Sequence, residues 1–196
     1  MSKVFFIRHG YALHNDLYWS IGNEAYSKYQ DTPLLHKGYL QAAECREKYI
    51  NNGDALKNMD IVLVSPLSRT ISTALSIFGS NSFYSTKFIA LDCLMEYPQG
   101  GEELCNKRKT VDILKNNYPI INYSQINQDT EWRQEQESIQ ELDERIHQML
   151  DFINSRPEKK IAIVSHSSFL KRYLYKNIGD EHNELQHCHP FGPYKL

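Results

Sequence analysis

Four short apolar runs constrain the fold of this chain more than any other feature: Val4–Ile7, Ile61–Val64, Phe88–Leu91 and Ile161–Val164. None alternates apolar with polar residues, and most are rich in β-branched side chains, the pattern of strands covered on both faces. Helical periodicity fills the intervals. Leu40, Ala42, Ala43, Cys45 and Tyr49 mark a stripe over Lys37–Ile50, and Leu67, Ile71, Leu75 and Phe78 a cleaner one after Ser65-Pro66. There Ser65 is the expected N-cap and Pro66 the first helical residue. Ile139, Leu142, Ile146, Met149 and Ile153 form a third stripe, opened by the capping-box sequence Ser138-Ile139-Gln140-Glu141. Leu170, Tyr173, Leu174 and Asn177 mark a weaker fourth.

Strands alternating with helices predict an α/β fold, a three-layer sandwich in which helices flank a mostly parallel sheet. The 196 residues suit one domain that buries roughly 70% of its unfolded surface. One region departs from the alternation. Around residues 92–137 the chain is polar, with Gly100-Gly101, Lys107-Arg108-Lys109, Pro119 and Trp132, and it is too long for a plain connection. It is expected to be a cap-like insert resting over a site.

Charge sets a limit on partners. With 22 Lys+Arg against 24 Asp+Glu, the net charge of -2 gives no general attraction for nucleic acid or an anionic membrane. A bound anion must be held by a few placed cations. Val4–Ile7 is too short for a signal peptide or membrane span, and Cys45, Cys93, Cys105 and Cys188 stand far apart without paired spacing. A cytoplasmic protein with reduced, packed thiols is therefore expected. His187-Cys188-His189 puts only two ligands on one face of an extended chain, so a terminal edge strand is expected there and no metal site.

The chemistry gathers where strands end. Val4–Ile7 runs into Arg8-His9-Gly10, Ile61–Val64 into Ser65-Pro66-Leu67-Ser68-Arg69, and Ile161–Val164 into Ser165-His166-Ser167-Ser168. In a parallel sheet these ends share one rim, where ligands bind. Two Arg, two His and several helix N-termini would converge there on an anion, and a phosphoryl group needs that many donors at once. A neutral imidazole can take the phosphoryl group covalently, while arginine grips the non-bridging oxygens at any working pH. A carboxylic acid to protonate the leaving oxygen completes the set.

At these residues the sequence resembles the histidine phosphatase superfamily, in its phosphoglycerate-mutase-like branch. Arg8-His9-Gly10 matches the defining motif of that family, and Asn15 matches an Asn five residues beyond the motif's Gly. Asp31-Thr32-Pro33-Leu34-Leu35-His36-Lys37-Gly38, Ser65-Pro66-Leu67-Ser68-Arg69-Thr70 and Val164-Ser165-His166-Ser167 are similar to later blocks, in the family's order. The resemblance implies a phosphoglycerate-mutase-like fold with His9 as the phosphorylated nucleophile. It also implies that Arg8, Arg69 and His166 form the phosphate pocket, with Asn15 close to the phosphate. Leu94-Met95-Glu96 resembles the segment carrying the general acid, which implies Glu96 as proton donor. Ser167 stands where many relatives carry Gly, and its backbone N–H keeps a place in the pocket. Asn106-Lys107 is the nearest match to the mutases' substrate-contacting stretch, and Lys107, Arg108, Lys109 and Arg133 are candidates for holding a second anionic group of the substrate. Gln134 stands where the mutases carry a second Arg after the position of Arg133.

The expected function is that of a metal-independent phosphomonoester phosphatase acting through a phosphohistidine on a small phosphorylated metabolite, with no cofactor. Two alternatives stay open: mutase-type phosphoryl transfer, and a binding module that holds a phosphorylated ligand without turnover. Tyr11 and His14 stand close enough to His9 to line a pocket mouth. An exposed C-terminal edge strand would permit a homodimer as readily as a monomer.

Overall fold

The structure, a computed structural model, describes residues 1–79, 86–127, 129, 131–179 and 183–196. The apolar runs form strands β1 (Lys3–Arg8), β2 (Ile61–Val64), β3 (Lys87–Ala90) and β4 (Lys160–Ser165), and a fifth strand, β5, covers Pro190–Lys195. The sheet order is β3-β2-β4-β1-β5. The first four strands are mutually parallel, whereas β5 pairs antiparallel with β1 and leaves one edge exposed.

Helices cover both faces, as two-sided burial of the strands requires. On one face Phe5, Ile7, Val62, Val64, Ala162 and Val164 pack with Ala42 and Cys45 of α3 (His36–Arg46) and with Ile71, Ala74 and Ile77 of α4 (Ser68–Phe78). On the other, the alternate residues Val4, Phe6, Ile61, Leu63, Ile161 and Ile163 meet α6 (Ile139–Asn154) and α7 (Ser167–Tyr175) through Leu142, Ile146, Met149, Phe169 and Leu170. The architecture is a three-layer α/β sandwich. The stripe over Lys37–Ile50 is helical throughout, but its last turn, Glu47–Asn51, is π-helical. Two short helices, α1 (Leu13–Ile21) and α2 (Glu24–Lys28), follow β1, and α5 (Val111–Asn117) lies within the polar region. Among the described residues no helix is long and apolar enough to cross a membrane. All four cysteines are free, and Cys45, Cys105 and Cys188 are buried.

Two local expectations separate here. The capping box at Ser138 forms: its hydroxyl accepts from Glu141 N–H, and Glu141 accepts in return from Ser138 N–H at 2.7 Å. Ser65, by contrast, caps nothing, because α4 begins at Ser68. The capping oxygens come from Asp31, which accepts from Ser68 N–H at 2.7 Å and from its hydroxyl at 2.6 Å. Asp31 reaches the helix from the loop before α3, so no local spacing announces the cap. The C-terminal edge strand begins just beyond the motif expected to form it, at Pro190. Cys188 has a left-handed φ of 54°, which keeps His187-Cys188-His189 from running as one extended strand.

Candidate active site

Strand β1 ends on the rim and delivers Arg8 and His9 side by side, both nearly fully buried. Register with β4 continues to Arg8 opposite Ser165, and His9 N–H donates to Ser165 O at 3.0 Å. The chain then turns through Gly10, which lies so close to the start of α3 that a Cβ there would sit 2.7 Å from Gly38 O. This approach fixes the imidazole. His9 Nδ1 lies 2.7 Å from Gly10 O, and because a carbonyl only accepts, Nδ1 carries the proton and Nε2 keeps its lone pair. Burial, followed by the nearby Arg69, His166, Arg8 and His14, holds the His9 pKa well below the ordinary imidazole value. The ring is neutral and tautomerically set for attack through Nε2.

Arg69, in the first turn of α4, and His166, between β4 and α7, complete the pocket, both with no exposure at all. The His166 ring lies 5.1 Å from that of His9, and its Nε2 is 2.8 Å from Ser65 Oγ, which explains why Ser65 is not a cap. Burial and the surrounding cations depress the His166 pKa as well. The Arg69 guanidinium donates to Cys105 O at 2.7 Å and to Asn106 Oδ1 at 3.0 Å, both neutral acceptors. Arg8 donates to Leu185 O at 2.6 Å and pairs with Glu184 at 2.5 Å. Three buried nitrogens, Arg8 Nε, Arg69 Nε and His166 Nδ1, have no hydrogen-bond partner among the described residues. Buried polar groups are rarely left so. Three together around one imidazole mark a place for an oxygen-rich anion.

Some of the first-turn donors of these helices are already engaged. The N–H of Ser68 at the start of α4 is taken by Asp31, and those of Ser168 and Phe169 at the start of α7 by Glu96. Glu96 Oε1 accepts from Tyr97 N–H at 2.8 Å and Phe169 N–H at 3.1 Å, while Oε2 has only the longer 3.3 Å contact with Ser168 N–H. Burial raises the Glu96 pKa, against the opposing pull of these N–H groups and Arg69. The carboxyl therefore holds a proton more readily than an exposed one. The cleft above these groups encloses about 190 Å³ and is lined by Arg8, His9, His14 and Glu96 among others.

A family description of the histidine phosphatase superfamily, branch 1, matches residues 4–192. The chain belongs to that superfamily. It is 29% identical over 201 residues to a phosphoglycerate mutase-like protein of Arabidopsis thaliana, covering 87% of this chain and 73% of that protein. Among solved structures it is similar to the α-ribazole phosphatase of Shigella flexneri, with a TM-score of 0.59, 19% identity and coverage of 95% and 87% of the two chains. The ecdysone phosphate phosphatase of Bombyx mori, solved with tungstate, gives a TM-score of 0.59 at 17% identity, covering 100% of this chain and 83% of that one. At these identities the structural likeness is one of fold.

In this histidine phosphatase superfamily member the structure gathers Arg8, His9, Arg69, Glu96, His166 and Ser167 around one cleft. Ser167 contributes a hydroxyl that accepts from Leu185 N–H at 3.1 Å. Asn15 Oδ1 accepts from Ala12 N–H at 3.0 Å at the start of α1. The basic residues of the polar region are elsewhere. Lys107 and Arg108 line a separate cavity of about 690 Å³, on which Arg133 also opens. Arg108 is spent on structure, pairing with Asp92 at 3.0 Å and Asp129 at 2.5 Å and donating to Asn127 O and Lys109 O. Arg133 pairs with Glu141 at 2.7 Å. Lys107 and Arg108, expected to hold a second anionic group of the substrate, line this other cavity instead of the cleft, and the carboxylates that hold Arg108 there are ones that local positive charge does not announce.

Two further imidazoles reach the site. His14 lies 5.7 Å from the His9 ring and is held by Thr32 Oγ1 at 2.7 Å. His187, also 5.7 Å from His9, donates Nδ1–H to His9 O at 2.6 Å, so it braces the His9 backbone. Nothing in its sequence neighbourhood signals this. It follows from the parallel bridge between Arg8 and His187 just before β5. Among the described residues no group of three or more His, Cys, Asp or Glu is disposed to hold a metal ion, and the trio around Cys188 is no exception.

Proposed function

We propose that this protein is a phosphomonoester phosphatase that works through a phosphohistidine on His9 and needs no metal ion. The observation that carries the reading is the set of three unpartnered nitrogens, on Arg8, Arg69 and His166, around an imidazole whose free nitrogen is Nε2. In the first step His9 Nε2 attacks phosphorus, the P–O ester bond breaks, and the Glu96 proton passes to the departing oxygen. Arg8, Arg69 and His166 hold the non-bridging oxygens, and charge aimed at a desolvated transition state is worth far more than in water. The dianionic phosphoryl group also opposes the cations that depress the His166 pKa, which favours a protonated ring while it is bound. In the second step the Glu96 carboxylate takes a proton from water as it attacks phosphorus. The N–P bond breaks, its electrons return to His9, and inorganic phosphate leaves. We read residues 92–137 as a cap, since Glu96, Tyr97, Pro98, Glu103, Cys105 and Asn106 reach the cleft from it.

Turnover of a phosphomonoester with trapping of an acid-labile, alkali-stable phosphoryl label tests this. The expected result is label on His9, loss of both label and turnover in His9→Ala, and no effect of a chelator. Chelator-sensitive activity that persists in His9→Ala would overturn the reading. With 3-phosphoglycerate, release of free phosphate is the expected product; an isomer would place the protein with the mutases.

A further inference from the structure

The cleft is cationic only at its floor. Among the described residues that line it, Arg8 is the single Lys or Arg. Arg69 lies beneath, while Lys107, Arg108 and Arg133 belong to the other cavity. Toward the mouth the charge reverses. Glu103 lines the cleft, and its side chain makes no hydrogen bond or ion pair among the described residues. Glu184 lines it too, with one oxygen on Arg8 and a side chain 38% exposed. Tyr26 and Tyr97 present aromatic surface to the same space, and both carboxylates lie within electrostatic reach of the Tyr26 phenol, whose pKa burial raises first and Glu184 and Glu103 raise further. Two carboxylates beside aromatic rings receive an ammonium group well, through Coulomb attraction and through the ring faces. A second anion would meet the opposite: like charge, and, among the described lining residues, no cation other than Arg8.

We infer that the leaving-group side of this cleft selects phosphomonoesters of small amino alcohols and rejects those whose alcohol carries a second anionic group. The inference rests on the phosphatase reading and names its substrate class. Size points the same way, because about 190 Å³ is below the roughly 300–1,000 Å³ of ordinary ligand pockets, and part of it is filled by the phosphoryl group. Glu103 is the specificity-determining residue. Its side chain is partly exposed and makes no hydrogen bond or ion pair among the described residues, so Glu103→Gln breaks none of them.

Three esters of nearly equal size separate charge from shape: O-phosphoethanolamine, propyl phosphate and phosphoglycolate. At about 0.15 M salt, kcat/KM is expected to fall in that order. The span from first to last should be at least about tenfold, a modest part of the interaction between unit charges at a partly solvated site. Glu103→Gln is expected to narrow the ratio of O-phosphoethanolamine to phosphoglycolate by about fivefold, and higher salt to narrow it in the wild type. Because the ratio compares two substrates on one preparation, partial loss of folded enzyme does not alter it. An equal or inverted order, with propyl phosphate turned over, overturns the inference and leaves the phosphatase reading standing. So does a ratio that Glu103→Gln leaves unchanged. Failure to turn over all three esters and p-nitrophenyl phosphate as well overturns both.

Discussion

Glu96→Gln separates the proposed proton donor from a carboxylate that merely caps α7. Gln keeps the shape, and its carbonyl oxygen can still accept from Tyr97 and Phe169 N–H, the two shorter contacts. Only the 3.3 Å contact with Ser168 N–H is lost, facing an amide donor in its place. That costs about 1 kcal/mol, or about 2–4 °C in Tm for a chain of this size. The catalytic loss should be far larger. A positioned general acid contributes roughly 10²–10⁴-fold, which is about 2.7–5.5 kcal/mol of barrier. It does so only where the leaving oxygen needs a proton. On an alkyl phosphate, kcat/KM should therefore drop by about 10²–10⁴, whereas on p-nitrophenyl phosphate, whose phenolate leaves unprotonated, it should drop by less than about tenfold. Since Glu96 also takes the proton from water in the second step, kcat on the activated ester should fall and a burst of p-nitrophenol should appear. The pH profile supplies an independent check. Burial raises the Glu96 pKa, so kcat/KM on the alkyl ester should be full while the acid is protonated and decline as pH rises through that pKa, and Glu96→Gln should remove this alkaline limb. Equal losses on the two esters, or an alkaline limb that survives in Glu96→Gln, would refute the assignment.

The structural assignment of Arg108 predicts that Arg108→Ala lowers stability by about 3 kcal/mol, since it strands the half-buried Asp92 carboxylate, and shifts Tm by about 6–12 °C. Its kcat/KM at a temperature where it is folded should stay within about twofold of wild type on mono- and bis-anionic esters alike; a selective loss on the bis-anionic ones would restore a substrate role. Phosphate or vanadate at about 100 times its Kd should stabilise the wild type by about 2.7 kcal/mol, read as a rise in Tm. Arg69→Gln should lose most of that rise, because Arg69 Nε is one of the three donors waiting for an anion; an undiminished rise would show that the anion binds elsewhere.

How much of this was legible in the sequence depends on whether a local pattern or a distant partner decides the outcome. The four parallel strands and the stripes of α4 and α6 were legible because an uninterrupted apolar run or a 3-4 spacing admits one buried arrangement. The same patterns place Arg8, His9, Arg69 and His166 on one rim, since parallel strands must end together. Helices α1 and α2 were not legible: each buries a single residue, His14 in one and Ala25 in the other, so no stripe marks them. Ser65 looked like a cap because Ser-Pro opens many helices, but a pairing with His166 across 101 residues claims its hydroxyl. Arg108 looked available for a ligand for the same kind of reason, its carboxylate partners being 16 and 21 residues away.

The same distinction explains which groups are left to hold the anion. A sequence places helix N-termini at the rim, but the fold fills them with its own carboxylates, Asp31 on α4 and Glu96 on α7. The side-chain cations are treated differently. Arg8 has a carboxylate partner on one side, while Arg69, fully buried, has only a carbonyl and an amide oxygen. A buried guanidinium that no carboxylate pairs directly, with Asp31 and Glu96 acting on it only at longer range, is costly to the folded state, and its position beside His9 is where an incoming phosphoryl group would offset that cost. The three orphaned nitrogens and the neutral His9 are thus two sides of one arrangement: the cations that depress the imidazole pKa and keep its lone pair free are the ones that would draw phosphorus to it.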